Sequence, residues 1–307
     1  MTEENKTMVT EFILVGLSDH PRAQIVLFCL LLVVYLTTLS GNGFMILVIV
    51  ADSHLHTPMY FFLSNLSLID IFYTTTSVPE VLANCITHRT SISVMNCLVQ
   101  MNCGLFLGMT ECLLLAVMAY DCFAAVCHPL HYTLMMNNRL CVILVASSWI
   151  TAFLLTVVPI FFMPVEFCGP NIINHFTCEA QAVYKLACLN ARINEIFSIA
   201  RGIPILVVPF IFIMVTYIRI GLAVLKICSA QGQSKAFSTC GSHLIVVSIF
   251  YGSAMSIYLR PQDSHQDKLI SLFYGVVTPM LNPMIYSLRN KDVKGAVYRV
   301  IRKKAPE

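Results

Sequence analysis

The chain of 307 residues is rich in apolar side chains and poor in charge. Hydrophobic residues make up 57% of it and charged residues only 11%, whereas soluble domains carry about 25% charged residues to cover their surface. These proportions exclude an ordinary soluble protein and indicate a polytopic membrane protein. The 19 lysines and arginines against 16 acids give a net charge of +3, too balanced to indicate a nucleic-acid partner.

Long apolar runs recur along almost the whole chain. A membrane helix needs roughly 20 apolar residues, and by that rule the sequence predicts an all-α membrane protein with a seven-transmembrane helix bundle over residues 25–288. The connections are short, so the loop from 164 to 194 is the one place where we expect extracellular structure. The seven predicted spans are approximately 25–50, 58–82, 96–124, 140–162, 196–222, 238–259 and 269–288.

Charged residues divide unevenly between the two sides of this bundle. Bases such as Arg139 and Lys226 fall on one side, and acids such as Glu11 and Glu166 fall on the other. The positive-inside rule makes the basic side of this multi-pass membrane protein cytoplasmic, which predicts that the N-terminus lies outside. This orientation predicts that residues 1–24 form an extracellular N-terminal tail with no cleaved signal peptide. It also predicts that Asn5 is a glycosylation acceptor.

Residues 289–307 follow the last span and are strongly basic. Val293, Ala296, Val297 and Val300 recur at helical spacing against a basic face. This pattern favours a short amphipathic eighth helix lying on anionic lipid of the inner leaflet. The alternative is a disordered basic tail.

Four polar residues are predicted to share one layer in the inner half of the bundle. Ionisable groups are costly inside a bilayer and are usually functional there, and Asp70 and Glu111 are such groups. A helical rise of 1.5 Å per residue brings Asn42 and Asn282 to a similar depth. The layer could hold a sodium ion or a water network that rearranges when helices shift, or it could be a static hydrogen-bonded plug.

The inner end of the third span contains Met118-Ala-Tyr-Asp-Cys-Phe-Ala-Ala-Val-Cys127, followed by Pro129 and Tyr132. This segment resembles the Met-Ala-Tyr-Asp-Arg-Tyr-Val-Ala-Ile-Cys signature of odorant receptors, a family of rhodopsin-like G-protein-coupled receptors. It departs from the signature at Cys122, where the family has arginine, and at Phe123, where the family has tyrosine.

Other segments also resemble odorant-receptor signatures, and they occur in the expected order from the first helix to the eighth. The resemblance implies a receptor without enzymatic activity that binds a small odorant and activates a heterotrimeric G-protein, by likeness the stimulatory olfactory type that raises cAMP. These segments are Gly41-Asn42, Leu55–Asp70, Lys235–Leu244 and Pro279–Asn290.

Coupling to the G-protein is implied for residues at the inner face. In the resembling receptors the arginine pairs with its neighbouring aspartate when inactive and contacts the G-protein when active, and a thiol can do neither. We therefore expect Asp121 to lack its arginine partner. We also expect G-protein coupling to be weak or basal activity to be altered. The alternative is that neighbouring contacts at the inner face suffice for coupling. The coupling residues are Asp121, Cys122, Tyr217, Lys235 and Tyr286.

The ligand is expected in the outer half of the bundle. The third span presents one face at i, i+3, i+4 spacing with two glycines that leave volume, although such stripes more often indicate packing. The predicted ligand contacts are Met101, Gly104, Leu105, Gly108, Cys112, Gly202, Ile205, Tyr251, Ala254, Met255, Tyr258, Leu272 and Gly275. No aspartate lies on the third-span face, which favours a small, largely apolar ligand over an amine. Arg201 and Arg260 leave an anionic ligand as a variant.

Four cysteines lie on the outer side, and four cysteines permit three pairings. The resemblance implies a Cys97–Cys178 bond from the third span to the long loop and a Cys168–Cys188 bond within that loop. His175, Cys178 and Glu179 could instead bind copper or zinc, but a disulfide would consume Cys178, so no metal site is predicted.

Two other functional classes fit a polytopic membrane protein. A transporter would favour paired repeats or interrupted helices around a midplane site, and the sequence has no internal repeat. An intramembrane enzyme could use Asp70 with Glu111 as an acid pair, yet no water-activating metal motif accompanies them. The receptor interpretation is therefore the leading one.

Overall fold

Helices dominate the structure because a bilayer core offers no hydrogen bonds to the backbone, and a helix satisfies its own. The computed structural model describes residues 9–18, 20–87, 90–162, 165–167, 170–187, 191–226, 230–258, 265–289 and 291–304. In chain order the elements are β1 (Glu11–Leu14), α1 (Pro21–Ala51), a 3-10 turn (Ser53–Leu55), α2 (Pro58–Thr87), β2 (Ser91–Ser93), α3 (Val94–Cys127), α4 (Tyr132–Met135), α5 (Asn138–Phe162), β3 (Ile172–Ile173), α6 (Ala180–Tyr184), α7 (Ala191–Leu225), α8 (Ala230–Tyr258), α9 (His265–Leu272), a π-helical segment (Phe273–Val277), α10 (Thr278–Arg289) and α11 (Lys291–Lys304).

The seven predicted spans coincide with α1, α2, α3, α5, α7, α8 and the combined α9–α10 segment. By length and composition, six helices within the described ranges can cross a membrane. The helix α2 is not one of the six because Asp70 and the polar run 74–77 make it less apolar, but its 30 residues pack between α1 and α3. The result is a seven-helix bundle with α3 at its centre.

A small sheet covers the outer end of the bundle, where the sequence predicted only a tail and a loop. The strand β1 pairs antiparallel with β2, with Phe12 opposite Ile92, and parallel with β3, with Leu14 opposite Ile173. Phe12 and Leu14 alternate with exposed neighbours and are fully buried, which is the two-residue period of a half-buried strand. The expectation of structure in the 164–194 loop alone was therefore wrong.

The N-terminal segment is also tied to the top of the seventh helix. The ammonium group of Lys268 donates hydrogen bonds of 3.2 Å to the backbone oxygens of Val15 and Gly16. Lys268 is only 7% exposed, and its contacts fix the chain just before α1. The N-terminal segment therefore covers the outer end of the bundle.

The helix α11 forms after the last span, as the apolar spacing predicts. Its Val293 and Ala296 are buried against the bundle, and Arg299 donates from Nε to Asp52 Oδ2 at 2.8 Å while its Nη2 lies 2.7 Å from the same atom. Burial raises the pKa of Asp52, but hydrogen bonds from His54 and the contacts with Arg299 outweigh it and lower the pKa to about 2. Asp52 thus links α11 to the first inner loop.

Replacing Arg299 with glutamine tests this link. We expect a slightly lower unfolding temperature at pH 7, because Asp52 loses its cationic partner and keeps only the His54 hydrogen bonds. A carboxyl whose pKa is lowered on folding stabilises the fold above its unfolded-state pKa, near 4, and this contribution is lost as the pH falls toward about 2. The difference from wild type should therefore be full at pH 7 and shrink below about pH 4.

Thermal unfolding in detergent between pH 7 and pH 3 measures this difference. Lys294→Gln is the matched control, because it removes an exposed base from the same helix. An equal, pH-independent loss in both variants would show that the Asp52 contact does not stabilise the fold.

Candidate functional site

The outer half of the bundle contains a cavity of about 860 Å³, counted with the open solvent at its mouth. It lies between α3, α7 and α8, beneath α6 of the long loop. Within the described part of the chain its lining has no charged side chain. The lining residues are Gly104, Leu105, Gly108, Met109, Cys112, Ala180, Gln181, Gly202, Ile203, Ile205, Leu206, Ala254 and Tyr274.

Most of the predicted ligand contacts meet in this outer region. Seven of them line the first cavity, on α3, α7 and α8, namely Gly104, Leu105, Gly108, Cys112, Gly202, Ile205 and Ala254. Met101 and Gly275 line a second cavity of about 620 Å³ beside it. The two cavities share Gly104, Leu105, Ala180 and Tyr274, so they form adjoining parts of one chamber.

Three predicted contacts lie elsewhere among the described residues. Tyr251 is 1% exposed, and its hydroxyl donates to the backbone oxygen of Cys112 at 3.2 Å, so it joins α8 to α3 instead of facing either cavity. Met255 packs against the central core, and Leu272 packs against the cluster around Phe176. The side chain of Tyr258, like those of Arg201 and Arg260, lies outside the described residues.

Six lining residues of the first cavity were missed by sequence reasoning: Met109, Ala180, Gln181, Ile203, Leu206 and Tyr274. Met109 follows Leu105 by four residues and so continues the predicted face of α3. Ala180 and Gln181 belong to the loop and reach the cavity because Cys178 is fixed to α3, a constraint that spacing along the helices does not reveal. Tyr274 belongs to the π-helical segment, which the apolar pattern did not predict.

The structure contains the Cys97–Cys178 disulfide that the resemblance implied. The bond joins the outer end of α3 to the long loop. The Gln100 side chain reinforces it, because its oxygen accepts from the Cys178 backbone N–H at 2.9 Å. The disulfide removes Cys178 as a metal ligand. Cys168 and Cys188, like Asn5, lie outside the described residues.

Below the chamber, three of the four predicted polar residues come together. The Asn282 amide nitrogen lies 3.1 Å from both carboxylate oxygens of Asp70, and Asn282 also interacts with Glu111. Asp70 is fully buried and Glu111 is 5% exposed. Because two buried carboxylates repel each other, a proton or a cation is needed to balance them.

Asn42 has a different partner from the other three. Its amide nitrogen donates to the backbone oxygen of Pro279 at 3.0 Å and to that of Thr38 at 3.1 Å. In a regular helix the Pro279 oxygen would accept from the N–H of residue 283, but Pro283 has none. Asn42 therefore satisfies the carbonyl that the proline leaves without its helical partner, and it joins α1 to α10.

The inner end of α3 carries Asp121 and Cys122. Asp121 has no arginine beside it, but it is not without a donor, because the Tyr132 hydroxyl donates to its Oδ1 at 2.8 Å. Burial and then the charge of Asp121 raise the pKa of Tyr132, so the hydroxyl keeps its proton and acts as the donor. Cys122 is 2% exposed in an apolar cluster with Ile220, Val224 and Cys240.

The other predicted coupling residues lie near this inner end. The Tyr217 hydroxyl is 2.6 Å from Nδ1 of His243 and joins α7 to α8. Tyr286 is 1% exposed, and its hydroxyl has no partner among the described residues. Lys235 belongs to α8, but its side chain is not among those described. The inner ends of α3, α7 and α8 are thus in contact.

Comparison with known proteins gives one consistent result. The family model described as olfactory receptor matches residues 28–304. The chain belongs to the olfactory receptor family. It is 49% identical over 307 residues to human olfactory receptor 13H1, covering 99% of this chain and 100% of that one. It is 47% identical to rat olfactory receptor 1f45 over 310 residues, covering 100% and 99%, and 47% identical to mouse olfactory receptor 1E16 over 308 residues, covering 99% and 98%.

Membership decides the class of protein. Olfactory receptors are G-protein-coupled receptors and not enzymes, and their partners in general are small odorants and a G-protein. The apolar helices agree with a multi-pass membrane protein. The transporter and intramembrane-enzyme interpretations are therefore excluded.

Filling the chamber at Gly104 tests its role in this olfactory receptor. A Cβ at Gly104 meets no atom within 4 Å, so Gly104→Val should fold and reach the cell surface while occupying ligand volume. We expect the half-maximal concentration of an activating odorant to rise at least roughly tenfold, because a misfit of one or two methyl groups in an apolar pocket costs about one to three kcal/mol of binding free energy. Dose–response curves corrected for surface expression measure this rise.

Gly252→Val is the matched control for that substitution. Gly252 is an exposed glycine of α8 whose added Cβ also meets nothing within 4 Å. Both variants carry the same change in helix propensity. Equal responses of Gly104→Val and wild type would contradict a ligand chamber at this position.

Proposed function

We propose that this olfactory receptor binds small, largely apolar volatile ligands in the outer chamber and activates a stimulatory olfactory G-protein that raises cAMP. The lining of the first cavity supports the ligand class, because an uncharged wall offers a charged ligand no partner to offset its lost hydration, whereas an apolar molecule has no such cost. Activation by a panel of neutral odorants tests it. A response to amines, carboxylic acids or peptides alone would contradict it.

One observation supports the mechanism of activation most directly. Cys112 lines the first cavity, and its neighbour Glu111 faces the buried acid layer. Ten residues further along the same helix, Asp121 and Cys122 face the inner end. A ligand that changes the packing around Cys112 therefore acts on α3, which also carries Glu111 of the buried acid layer and the two residues proposed to face the G-protein. A preference of a few kcal/mol for one packing is enough to shift its population.

The proposed membrane orientation places the N-terminus outside the plasma membrane. The Cys97–Cys178 disulfide supports this orientation, because it lies at the same end of the bundle as β1, and disulfides persist in oxidising compartments. The basic helix α11 then lies at the inner leaflet, where anionic lipid attracts it. Glycosylation at Asn5 is part of the same proposal.

The buried acid layer is proposed to bind a sodium ion in the inactive state. Glu111 Oε1 and the side-chain oxygen of Asn282 are buried without a hydrogen-bond donor among the described residues. Such oxygens fit a hard monovalent cation or ordered water. Bound sodium would offset the repulsion between Asp70 and Glu111.

Asp70→Asn tests the role of the layer. The amide keeps the shape of the side chain and removes one of the two charges, so we expect the sodium dependence of the odorant response to disappear. Potency measured in sodium-containing and sodium-free buffers gives the result. Thr74→Ser, one turn away on α2, is the control. Unchanged potency and sodium dependence in Asp70→Asn would contradict the proposal.

The thiol at position 122 is proposed to weaken coupling. A thiol cannot offer the planar set of donors with which arginine binds carboxylates and carbonyls. We expect Cys122→Arg to increase the maximal odorant response severalfold, because the guanidinium restores a charged contact for the G-protein and a second partner for Asp121. The readout is odorant-stimulated cAMP normalised to surface expression.

Cys122→Lys is the matched control because it adds the charge without the guanidinium fork. We expect it to increase the response less than Cys122→Arg does. Equal responses of wild type and Cys122→Arg at equal surface expression would remove the hypothesis.

A further inference from the structure

The second cavity differs from the first in the chemistry of its wall. It extends the chamber toward α2, α9 and the loop segment after β3. Where the two cavities meet, Gly104 leaves open space, since an added Cβ would find no atom within 4 Å. The first cavity has no charged lining residue among those described, whereas the second contains the carboxylate of Glu179.

Glu179 is held in place by one hydrogen bond and by one close contact with an imidazole nitrogen. The Ser271 hydroxyl donates to Oε2 at 3.1 Å, and Nε2 of His175 lies 3.0 Å from the same oxygen. The Glu179 side chain is 14% exposed and that of His175 is 5% exposed. Both of these contacts go to one oxygen, and an ionised carboxylate can accept about four hydrogen bonds. Glu179 therefore has capacity for a further donor.

Two neighbouring polar groups of the second cavity, the Gln100 amide and Nδ1 of His175, already have partners. The Gln100 amide nitrogen donates to Thr76 and, at 2.7 Å, to Glu80, and its oxygen accepts from Cys178. Nδ1 of His175 lies 3.1 to 3.2 Å from three atoms of Thr177. The Glu179 carboxylate is thus the group best placed to recognise a ligand head.

From this arrangement we infer that the receptor takes amphipathic ligands with a single hydroxyl, whose apolar body fills the first cavity and whose hydroxyl donates to Glu179. The inference rests on the proposed ligand chamber and deepens it by naming the ligand class. Glu179 and Ser271 become specificity-determining residues, Glu179 as the acceptor and Ser271 by orienting it.

Other polar heads fit this wall less well. Aldehydes, ketones and ethers only accept hydrogen bonds, so they leave the carboxylate desolvated without a new donor. A carboxylate head is repelled by Glu179. An ammonium head would form a charge-assisted bond to Glu179, but it has three donors and a full charge and so loses more hydration on entering the chamber than a hydroxyl does. We therefore expect it to bind less tightly than the alcohol.

The test compares five compounds with the same eight-carbon body: 1-octanol, octanal, n-octane, octanoic acid and octylamine. Binding is measured by the shift in unfolding temperature of the full-length receptor in lipid nanodiscs, which does not depend on coupling. Activation is measured in cells that express the wild type or Cys122→Arg. We expect 1-octanol to bind at least roughly tenfold more tightly than octanal or n-octane, the factor that one net hydrogen bond supplies.

Glu179→Gln provides a second and stricter measurement. The amide keeps the size of the side chain and adds an N–H donor, so octanal should gain affinity while 1-octanol loses it, and their ratio should fall toward one. Glu166→Gln is the matched control, because Glu166 is an exposed acid of the same loop that does not line either cavity. A merely structural role for Glu179 would lower both affinities together.

Each outcome has a defined meaning. Equal binding of 1-octanol and octanal to wild type, tightest binding of the acid or the amine, or an unchanged ratio in Glu179→Gln overturns the inference. If Glu179→Gln does not fold, the wild-type ranking decides. Binding with the expected ranking but without a cellular response overturns the signalling proposal alone. Binding by none of the five compounds overturns both.

Discussion

The hydrogen bonds from Asn282 to Asp70 constrain the whole inner half of the bundle. A carboxylate buried among membrane helices has no water to solvate it, so its neighbours must supply donors or a counter-charge. With Asp70 fully buried, α2 and α10 can rotate only within the range that keeps Asn282 within hydrogen-bonding distance. Glu111 on α3 adds a second buried acid to the same contact. Polar groups therefore fix the position of α3 relative to α2 and α10. Apolar contacts alone would not prevent these helices from sliding along one another.

A second polar contact, from α1, compensates for the proline inside α10. Pro283 removes a helical donor, and Asn42 on α1 donates to the Pro279 oxygen that would have accepted it. Just before, the seventh helix widens into the π-helical segment, whose Tyr274 and Gly275 line the chamber. Irregular backbone in a membrane is tolerated where protein groups complete its hydrogen bonds. The irregular stretch of this helix thus lies between the outer chamber and the acid layer.

The sequence predicts the helices well because a bilayer imposes length and apolarity on each span. It also indicates which polar residues share a depth, since helical rise converts position into height. It does not predict contacts that depend on rotation and on loops. Tyr251 has the spacing of a cavity residue, yet its hydroxyl bonds to the backbone of Cys112. Phe12 and Leu14 lie in a segment too short to indicate a strand without its partners β2 and β3. Ala180 and Gln181 reach the chamber because the disulfide and the hydrogen bonds of Cys178 and Glu179 fix the loop above it.

The inner end shows how the fold accommodates the loss of an arginine. A buried aspartate without a donor would destabilise α3, and the Tyr132 hydroxyl supplies that donor from the second inner loop. Cys122 packs instead into the apolar cluster with Ile220 and Cys240, where a small side chain leaves no buried charge to satisfy. Folding and signalling therefore make different demands on this position. The thiol suits the packing of this cluster. Under the proposed coupling mechanism, docking of a G-protein needs a charged donor at this position, so we expect the substitution to affect coupling more than stability.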